Sequence, residues 1–403
     1  MNGQRILISG AGVAGPALAY WLTRYGFTVS VVERAPALRT GGQAVDVRGA
    51  AREVLDRMGV LDRVRAAHTG VHGISYVDDR GRVRARLSSN MFGHSGGVVA
   101  DLEILRDDLV GILVEAAGPG VEFLYDNTIT ELDNGRDCVH VAFEHGQDRE
   151  FDLVIGADGV RSAVRAAAMG DSDRTVRDLG YYSAYFTADS DIGRDGWEVA
   201  YSLPAGNGVG GRSVMVYPIG GTGKVRVMLN FAGPDTGTAR HDPGAQKALL
   251  ANAFRDAGRQ VGTLMDQLER ADRLFFARAA RVHVDSWSIG RVALVGDAIS
   301  GGSLGMGTSM ALVQSYVLAG ELSRSEHNRA FVDYQRSLQA FVDRNSARPP
   351  GSHAGFLPKT RLGIAGRNAL IRTLPHLPGA VRILGDTQRT STIELSDYSR
   401  PFV

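Results

Sequence analysis

Three carboxylates and one arginine stand beside glycine-rich turns in a pattern suited to holding a nucleotide: Glu33, Asp158, Asp297 and Arg48. Acids so placed can accept hydrogen bonds from sugar hydroxyls, and arginines can meet phosphate oxygens. The pattern is clearest at the start of the chain, where Gly10, Gly12 and Gly15 form G-x-G-x-x-G and Glu33 follows. Gly10 allows a tight turn, Gly12 lets backbone approach a pyrophosphate, and Gly15 lets a helix pack closely on a strand. A helix N-terminus, here opening near Ala14, offers free N–H groups and a partial positive charge to phosphates. Glu33, with Arg34 beside it, would meet the ribose. The chemistry implied is binding of an adenine dinucleotide, and the motif alone does not separate NAD from FAD.

The elements that must position these groups follow from periodicity. Ile6–Ser9 is a short apolar run that fits a buried parallel strand, Val13–Leu22 has helical spacing with Gly26 as its stop, and Thr28–Val32 is β-branched. Gly41–Gly49 brackets a short alternating strand, Ala44–Val47, and Arg48 closes it. Ala50–Met58 is a helix. Val71–Leu87 alternates around Asp78-Asp79-Arg80-Gly81, a hairpin turn. Ser88–Gly97 is polar, and its His94 reads as a solvated side chain. Asp101–Ala117 is expected as one amphipathic helix with Arg106 in its first half, followed by a strand and a meander.

Phe151–Arg165 (FDLVIGADGVRSAVR) is a second charged turn. A buried strand ends at Ala157-Asp158-Gly159 and a helix starts at Ser162, the end of an open α/β sheet where ligands bind. Asp158 could instead be a turn-former. From Gly180 to Ala232 four strand-like runs follow one another and read as an antiparallel sheet. Trp197, Arg212 and Tyr217 are its candidate substrate contacts, against ordinary sheet packing. Pro243–Ala257 and Val261–Asp272 are helical. Gly290–Glu321 is the third stretch: a buried strand, Gly296-Asp297, a glycine-studded loop through Gly305 and Gly307, then an apolar helix from Thr308. The tail after Ser323 is helical and arginine-rich.

Composition bounds the function. The 403 residues carry a net charge of +1 and 44% hydrophobic residues, ordinary for a soluble multidomain protein with no global pull toward nucleic acid. Cys138 is the sole cysteine, so an intrachain disulfide and a thiolate metal cluster are excluded. No metal site, Ser-His-Asp arrangement or membrane-spanning run is evident. The first strand begins almost at once, which makes a cytoplasmic protein the expectation.

GAGVAG with Glu33, GADGVRSAVR, and RVALVGDA followed by GMG, taken together, resemble the p-hydroxybenzoate hydroxylase-like (class A) FAD-dependent monooxygenases, closest to the tetracycline-modifying and polyketide hydroxylase branch. The resemblance spans nearly the whole chain and favours FAD. It implies an α/β fold: a Rossmann-like FAD-binding domain of GR2 type (1–71 with 98–175 and 281–345), an inserted antiparallel β-sheet substrate domain (72–97 with 176–280), and a C-terminal helical segment (346–403). It implies that Gly10, Gly12 and Gly15 hold the pyrophosphate, with Ala14 beside them, Glu33 and the adjacent Arg34 the adenosine ribose, and Arg106 the phosphate and ribityl region; Arg48 could reach a phosphate or the substrate region, or be an exposed loop arginine. Asp158 and Gly159 would contact FAD and the nicotinamide cofactor, Asp297 a ribityl hydroxyl, and Gly305, Gly307 and Thr308 the flavin pyrimidine edge.

The chemistry implied is hydroxylation of an aromatic or polyketide-like small molecule. NADPH or NADH reduces the flavin, and a C4a-hydroperoxide delivers oxygen. A monomer or homodimer is expected. The segment Asp297–Gly305 lacks the family's usual proline and is about two residues short, so it is expected to be looser. Two other functions fit the same motifs. One is a non-oxygenating cyclisation, rearrangement or dehydration on retained FAD, and the other is non-catalytic binding of a planar aromatic ligand.

Overall fold

In a computed structural model the described residues are 3–38, 42–89, 100, 102–170, 175–193, 195–220, 222–237, 242–303, 305–347, 356–373 and 392–398. His94, Asp101 and most of the polar 88–97 segment lie outside them. A six-stranded sheet forms one half of the molecule, in the order β17 (Ser288–Ile289), β18 (Val292–Leu294), β11 (Leu153–Gly156), β1 (Arg5–Ser9), β2 (Thr28–Glu33), β7 (Glu122–Tyr125). All its pairings are parallel except β17 with β18. Ile6, Leu7 and Ile8 are fully buried because helices cover both faces, which is why β1 reads as a continuous apolar run.

The helices are α1 (Ala14–Arg24), α2 (Ala50–Arg57), α3 (Leu61–Ala66), α4 (Arg106–Ala117), α5 (Ala163–Met169), α6 (Pro243–Phe254), α7 (Arg259–Arg270), the one-turn α8 (Asp297–Ser300), α9 (Gly307–Arg324), α10 (His327–Ser346) and α11 (Arg361–Thr373). α9 is buried almost all round, since α1, α2 and α10 all pack on it. The expected helix over Asp101–Ala117 is corrected: Glu103–Leu105 is a strand, β6, antiparallel to β3 (Ala44–Asp46), and the helix opens at Arg106. Glu103, Ile104 and Leu105 are all buried in that pairing, a tertiary contact that outweighs the local helical spacing. β8 (Ile129–Asn134), β9 (Val139–Phe143) and β10 (Arg149–Phe151) form the meander. Among the described residues no helix is long and apolar enough to cross a membrane.

The second large sheet has seven strands, ordered β16 (Phe275–Val282), β12 (Val176–Asp189), β15 (Lys224–Ala232), β14 (Arg212–Ile219), β13 (Glu198–Leu203), β4 (Gly73–Val77), β5 (Val83–Ser88). Its pairings are antiparallel apart from β13 with β4, which run parallel. The sheet has two unlike faces. One carries Ala184, Phe186, Val214, Val216, Val227, Leu229 and Phe231, buried against Leu250, Phe254, Leu264 and Leu268 of α6 and α7. The other, termed here the inner face, carries Glu198, Ser202, Arg226 and Asn230, all buried. Burying polar groups is unfavourable unless each is hydrogen-bonded or paired.

Candidate functional site

Gly10, Gly12 and Gly15 meet different surroundings within one turn. Gly10 has φ +107°, and a Cβ there would sit 2.6 Å from the Ala157 carbonyl oxygen. A Cβ on Gly15 would overlap the Gly10 carbonyl, while one on Gly12 would meet nothing within 4 Å. The open space is therefore at Gly12, in front of the α1 N-terminus, whose first turn has no acidic residue and no side-chain cap. Glu33 ends β2 beside this space. Its carboxylate accepts from Ala11 N (3.0 Å) and Ala35 N (2.9 Å), which fixes it against the turn. Arg34 is exposed at the same end.

Asp158 caps the start of α5: one carboxylate oxygen accepts from Ala163 N (2.7 Å) and Val164 N (3.2 Å). These are the bonds of a turn-former. The other oxygen, Oδ1, is buried without a partner among the described residues, so it retains an acceptor for a ligand. Burial pushes the Asp158 carboxyl up, against its hydrogen bonds. Gly159 is in the left-handed region at φ +85° with open space beside it.

The third stretch meets the chain's middle. Asp297 opens α8. It lies deep among protein atoms, yet its side chain is exposed, so it lines an internal cleft. Burial raises its pKa and Arg106 opposes the shift, which puts that guanidinium within electrostatic reach. A Cβ at Gly307 would stand 3.4 Å from Asp297 Oδ1, and one at Gly305 would stand 3.3 Å from Asp46 Oδ2. Thr308 sits half-buried in the first turn of α9. The structure thus gathers Asp46, Arg106, Asp297, Gly305, Gly307 and Thr308 from three separated stretches. Gly301 and Gly302 lie close against neighbouring atoms. A Cβ on the first would lie 2.6 Å from Val160 Cγ2, and one on the second would overlap the Ala280 carbonyl.

Arg48 is not an exposed loop arginine. It is buried, and its guanidinium bonds Asp46 Oδ2 at 2.7 Å. Tyr217 lies on the inner face, accepting from Ala44 N (3.0 Å) with a phenol pushed well up by burial. Arg212 lies outside the group, because Pro204 O, Ala253 O and Asp256 occupy its donors. Trp197 is also outside, stacked under Arg86 (4.6 Å) in a cavity of about 500 Å³ shared with Val199 and Leu264. Sequence reasoning missed Asp46, Glu103, Tyr185 and Glu198. The larger apolar residues Val199, Tyr201 and Leu203 at every second position were the available signal.

Open space at Gly12, an orphaned acceptor at Asp158 and a cleft-lining Asp297 fit a dinucleotide laid along the strand ends. Residues 4–330 match the family described as FAD binding domain. The chain belongs to that family. It is 39% identical over 350 residues to "Uncharacterized protein Rv1260" of Mycobacterium tuberculosis, covering 85% of this chain and 91% of that one. It is 34% identical to "Monooxygenase CTB7" of Cercospora beticola, covering 98% of each. The crystal structure of tetracycline destructase Tet(55) superposes with a TM-score of 0.80 at 31% identity, covering 99% of this chain and 100% of that one.

Proposed function

We propose that the protein is an FAD-dependent monooxygenase that takes reducing equivalents from NADPH or NADH and hydroxylates a planar aromatic or polyketide-like small molecule. The observation that carries this is the convergence of Arg106, Asp297, Gly305 and Gly307 opposite the polar inner face of the seven-stranded sheet. Arg106 acts electrostatically on both Asp297 and Tyr185 of that face, so the cleft and the sheet share one space. The relatives' names, a monooxygenase and a tetracycline destructase, support the same class of reaction and substrate. Domain limits near residues 71, 98, 176, 281 and 346 follow from this division of labour. A cytoplasmic location suits a reaction fed by nicotinamide cofactors.

FAD, when bound, supplies the redox chemistry and oxygen activation. The chain does the rest. Gly12 and the α1 N-terminus receive the pyrophosphate, and Glu33 receives the adenosine ribose. Arg106 and Asp297 orient the ribityl and phosphate region, with Asp158 Oδ1 as a further acceptor. Backbone N–H groups at Gly307 and Thr308, reinforced by the α9 dipole, stabilise negative charge on the pyrimidine edge. The apolar part of the inner face excludes water from the reacting carbon.

The test is ligand-stimulated NADPH oxidation by the FAD-loaded protein under labelled dioxygen, with mass analysis of the product. One labelled oxygen in the product is expected. Turnover that persists without oxygen or reductant would overturn this reading in favour of a non-oxygenating reaction on the same cofactor.

A further inference from the structure

The strand register arranges the inner face in rows. Tyr217, Arg226 and Thr187 stand side by side, and Glu198 continues that row on β13. The next row is Ala200, Met215, Met228 and Tyr185, with Tyr76 beside Ala200. The third is Ser202, Ser213, Asn230 and Ser183. This third row is satisfied: Ser183 Oγ donates to Asn230 Oδ1 (2.6 Å), Asn230 Nδ2 to Ser213 Oγ (3.2 Å), and Arg367 of α11 to Ser202 Oγ (3.0 Å). The middle row is an apolar strip.

The first row differs. Glu198 is only 4% exposed, and among the described residues neither a hydrogen-bond donor nor a cation reaches its carboxyl. The charged groups around it are acids. Glu103 approaches from β6 and Asp46 from β3, while Tyr76 of β4 and Tyr217 of β14 also face it. Arg48 is paired to Asp46, Thr69 Oγ1 donates to Glu103 (2.8 Å), and Arg226 reaches Thr187 Oγ1 (2.7 Å) on the far side of Tyr217. Burial and the two neighbouring acids push the Glu198 carboxyl well above its ordinary range, which favours the protonated form. A carboxylic acid in that form has one donor and one acceptor side by side.

We propose that Glu198 is the specificity-determining anchor of the substrate site, its carboxyl donating one hydrogen bond and accepting another from planar ligands that carry a carbonyl and a hydroxyl on adjacent rim positions. The proposal rests on the monooxygenase reading above and deepens it by naming the substrate's recognised edge. The strip of Ala200, Met215 and Met228 supports the ring faces. Leaving the acid unpaired in the free protein makes its recognition discriminating, because a ligand without the matching edge buries it unsatisfied.

The experiment uses FAD-loaded wild type, E198Q and E198L, with retained FAD content as the check on folding. Binding is followed by flavin absorbance with three probes: 1,8-dihydroxyanthraquinone, its dimethyl ether, and the cation 9-aminoacridine. Wild type and E198Q should bind the dihydroxy probe within about threefold of each other, and E198L roughly tenfold or more weakly. The dimethyl ether should lose affinity in wild type but gain no further loss in E198L. Wild-type affinity should fall as pH rises through the Glu198 titration, with a weaker fall in E198Q.

Equal binding of the dihydroxy probe by wild type and E198L would overturn the proposal. So would preference for 9-aminoacridine that vanishes in E198Q, the mark of an ionised acid selecting cations. Absence of dihydroxy-probe binding to FAD-loaded wild type that oxidises NADPH overturns this proposal alone. Failure to take up FAD strikes the underlying reading instead.

Discussion

Asp297 does two things that pull against each other. Its carboxylate lines the cleft, where it is proposed to hold a hydroxyl of the cofactor, yet the interior disfavours its charge and Arg106 offsets only part of that. Removing it should relieve the protein and harm the site. In Asp297→Ala we expect an unchanged fold and FAD affinity roughly 10- to 100-fold weaker, the range for losing a hydrogen bond to a charged group, read by flavin fluorescence titration of the apoprotein. Glu103 permits a pH prediction. Burial, with Asp46 beside it, raises its pKa from the ordinary 4.5 to about 7. The folded state therefore keeps a proton that the unfolded state has released. The contribution of Glu103 to stability is full below 4.5, falls as pH rises toward 7, and is lost above it. Glu103→Gln keeps an acceptor for Thr69 and should remove much of that fall, on the order of 2 to 3 kcal/mol, as urea midpoints compared at acid and alkaline pH will show. A wild-type midpoint that does not decline across that interval would contradict the cause assigned here.

At the scale of elements, the turn between β1 and α1 separates folding from binding residue by residue. Gly15 faces the Gly10 carbonyl, so Gly15→Ala must push α1 off the strand, at about 1–3 kcal/mol and with loss of FAD as a consequence. Gly12 faces open space, so Gly12→Ala should keep the melting temperature of the apoprotein and lose FAD affinity because the methyl group occupies the pyrophosphate's place. Equal destabilisation by both substitutions would refute this assignment. The same turn was legible in the sequence because its physics is local: each glycine answers to the strand and helix within a few residues of it. The buried β1, β11 and β18 runs were legible for the same reason, since parallel strands covered on both faces are apolar throughout. Glu103–Leu105 was not, because the fate of those three residues depends on β3, nearly sixty residues earlier in the chain. Nor was Phe275–Val282, where Arg278 and Arg281 interrupt the apolar pattern. Arg278 is accommodated at that sheet edge by Asp178 and by the Tyr182 ring, 4.9 Å away. Arg212 misled by type: a cation on a candidate substrate sheet turned out to tie β14 to α6.

Across the whole molecule, the C-terminal stretch touches both large sheets' halves. α11 lies on the seven-stranded side, where Arg367 stacks 4.7 Å from the Tyr76 ring and bonds Ser202. Residues 392–398 return to the other half. There Tyr398 is 4% exposed, its hydroxyl donates to Glu321 Oε1 (2.6 Å), and the Arg324 guanidinium lies 4.3 Å from its ring centre. Tyr316 adds a bond to Ser396 O (2.7 Å), and Arg57 of α2 adds another (2.9 Å). The ring rests directly on Gly320, where any Cβ would overlap it. Glycine within a helix is unfavourable by itself, so this one is explained by the tyrosine it admits. Gly320→Ala should improve α9 locally by up to about 1 kcal/mol and yet destabilise the protein, because the tyrosine must leave. Its release should also expose residues 392–398 to protease while FAD binding by α1 and α9 persists. Tyr398→Phe keeps the ring and loses only the Glu321 bond, so it should cost about 0.5–1.5 kcal/mol and leave the segment protected. If Gly320→Ala raises the melting temperature and leaves the cleavage pattern as it was, residues 392–398 are not held by that ring.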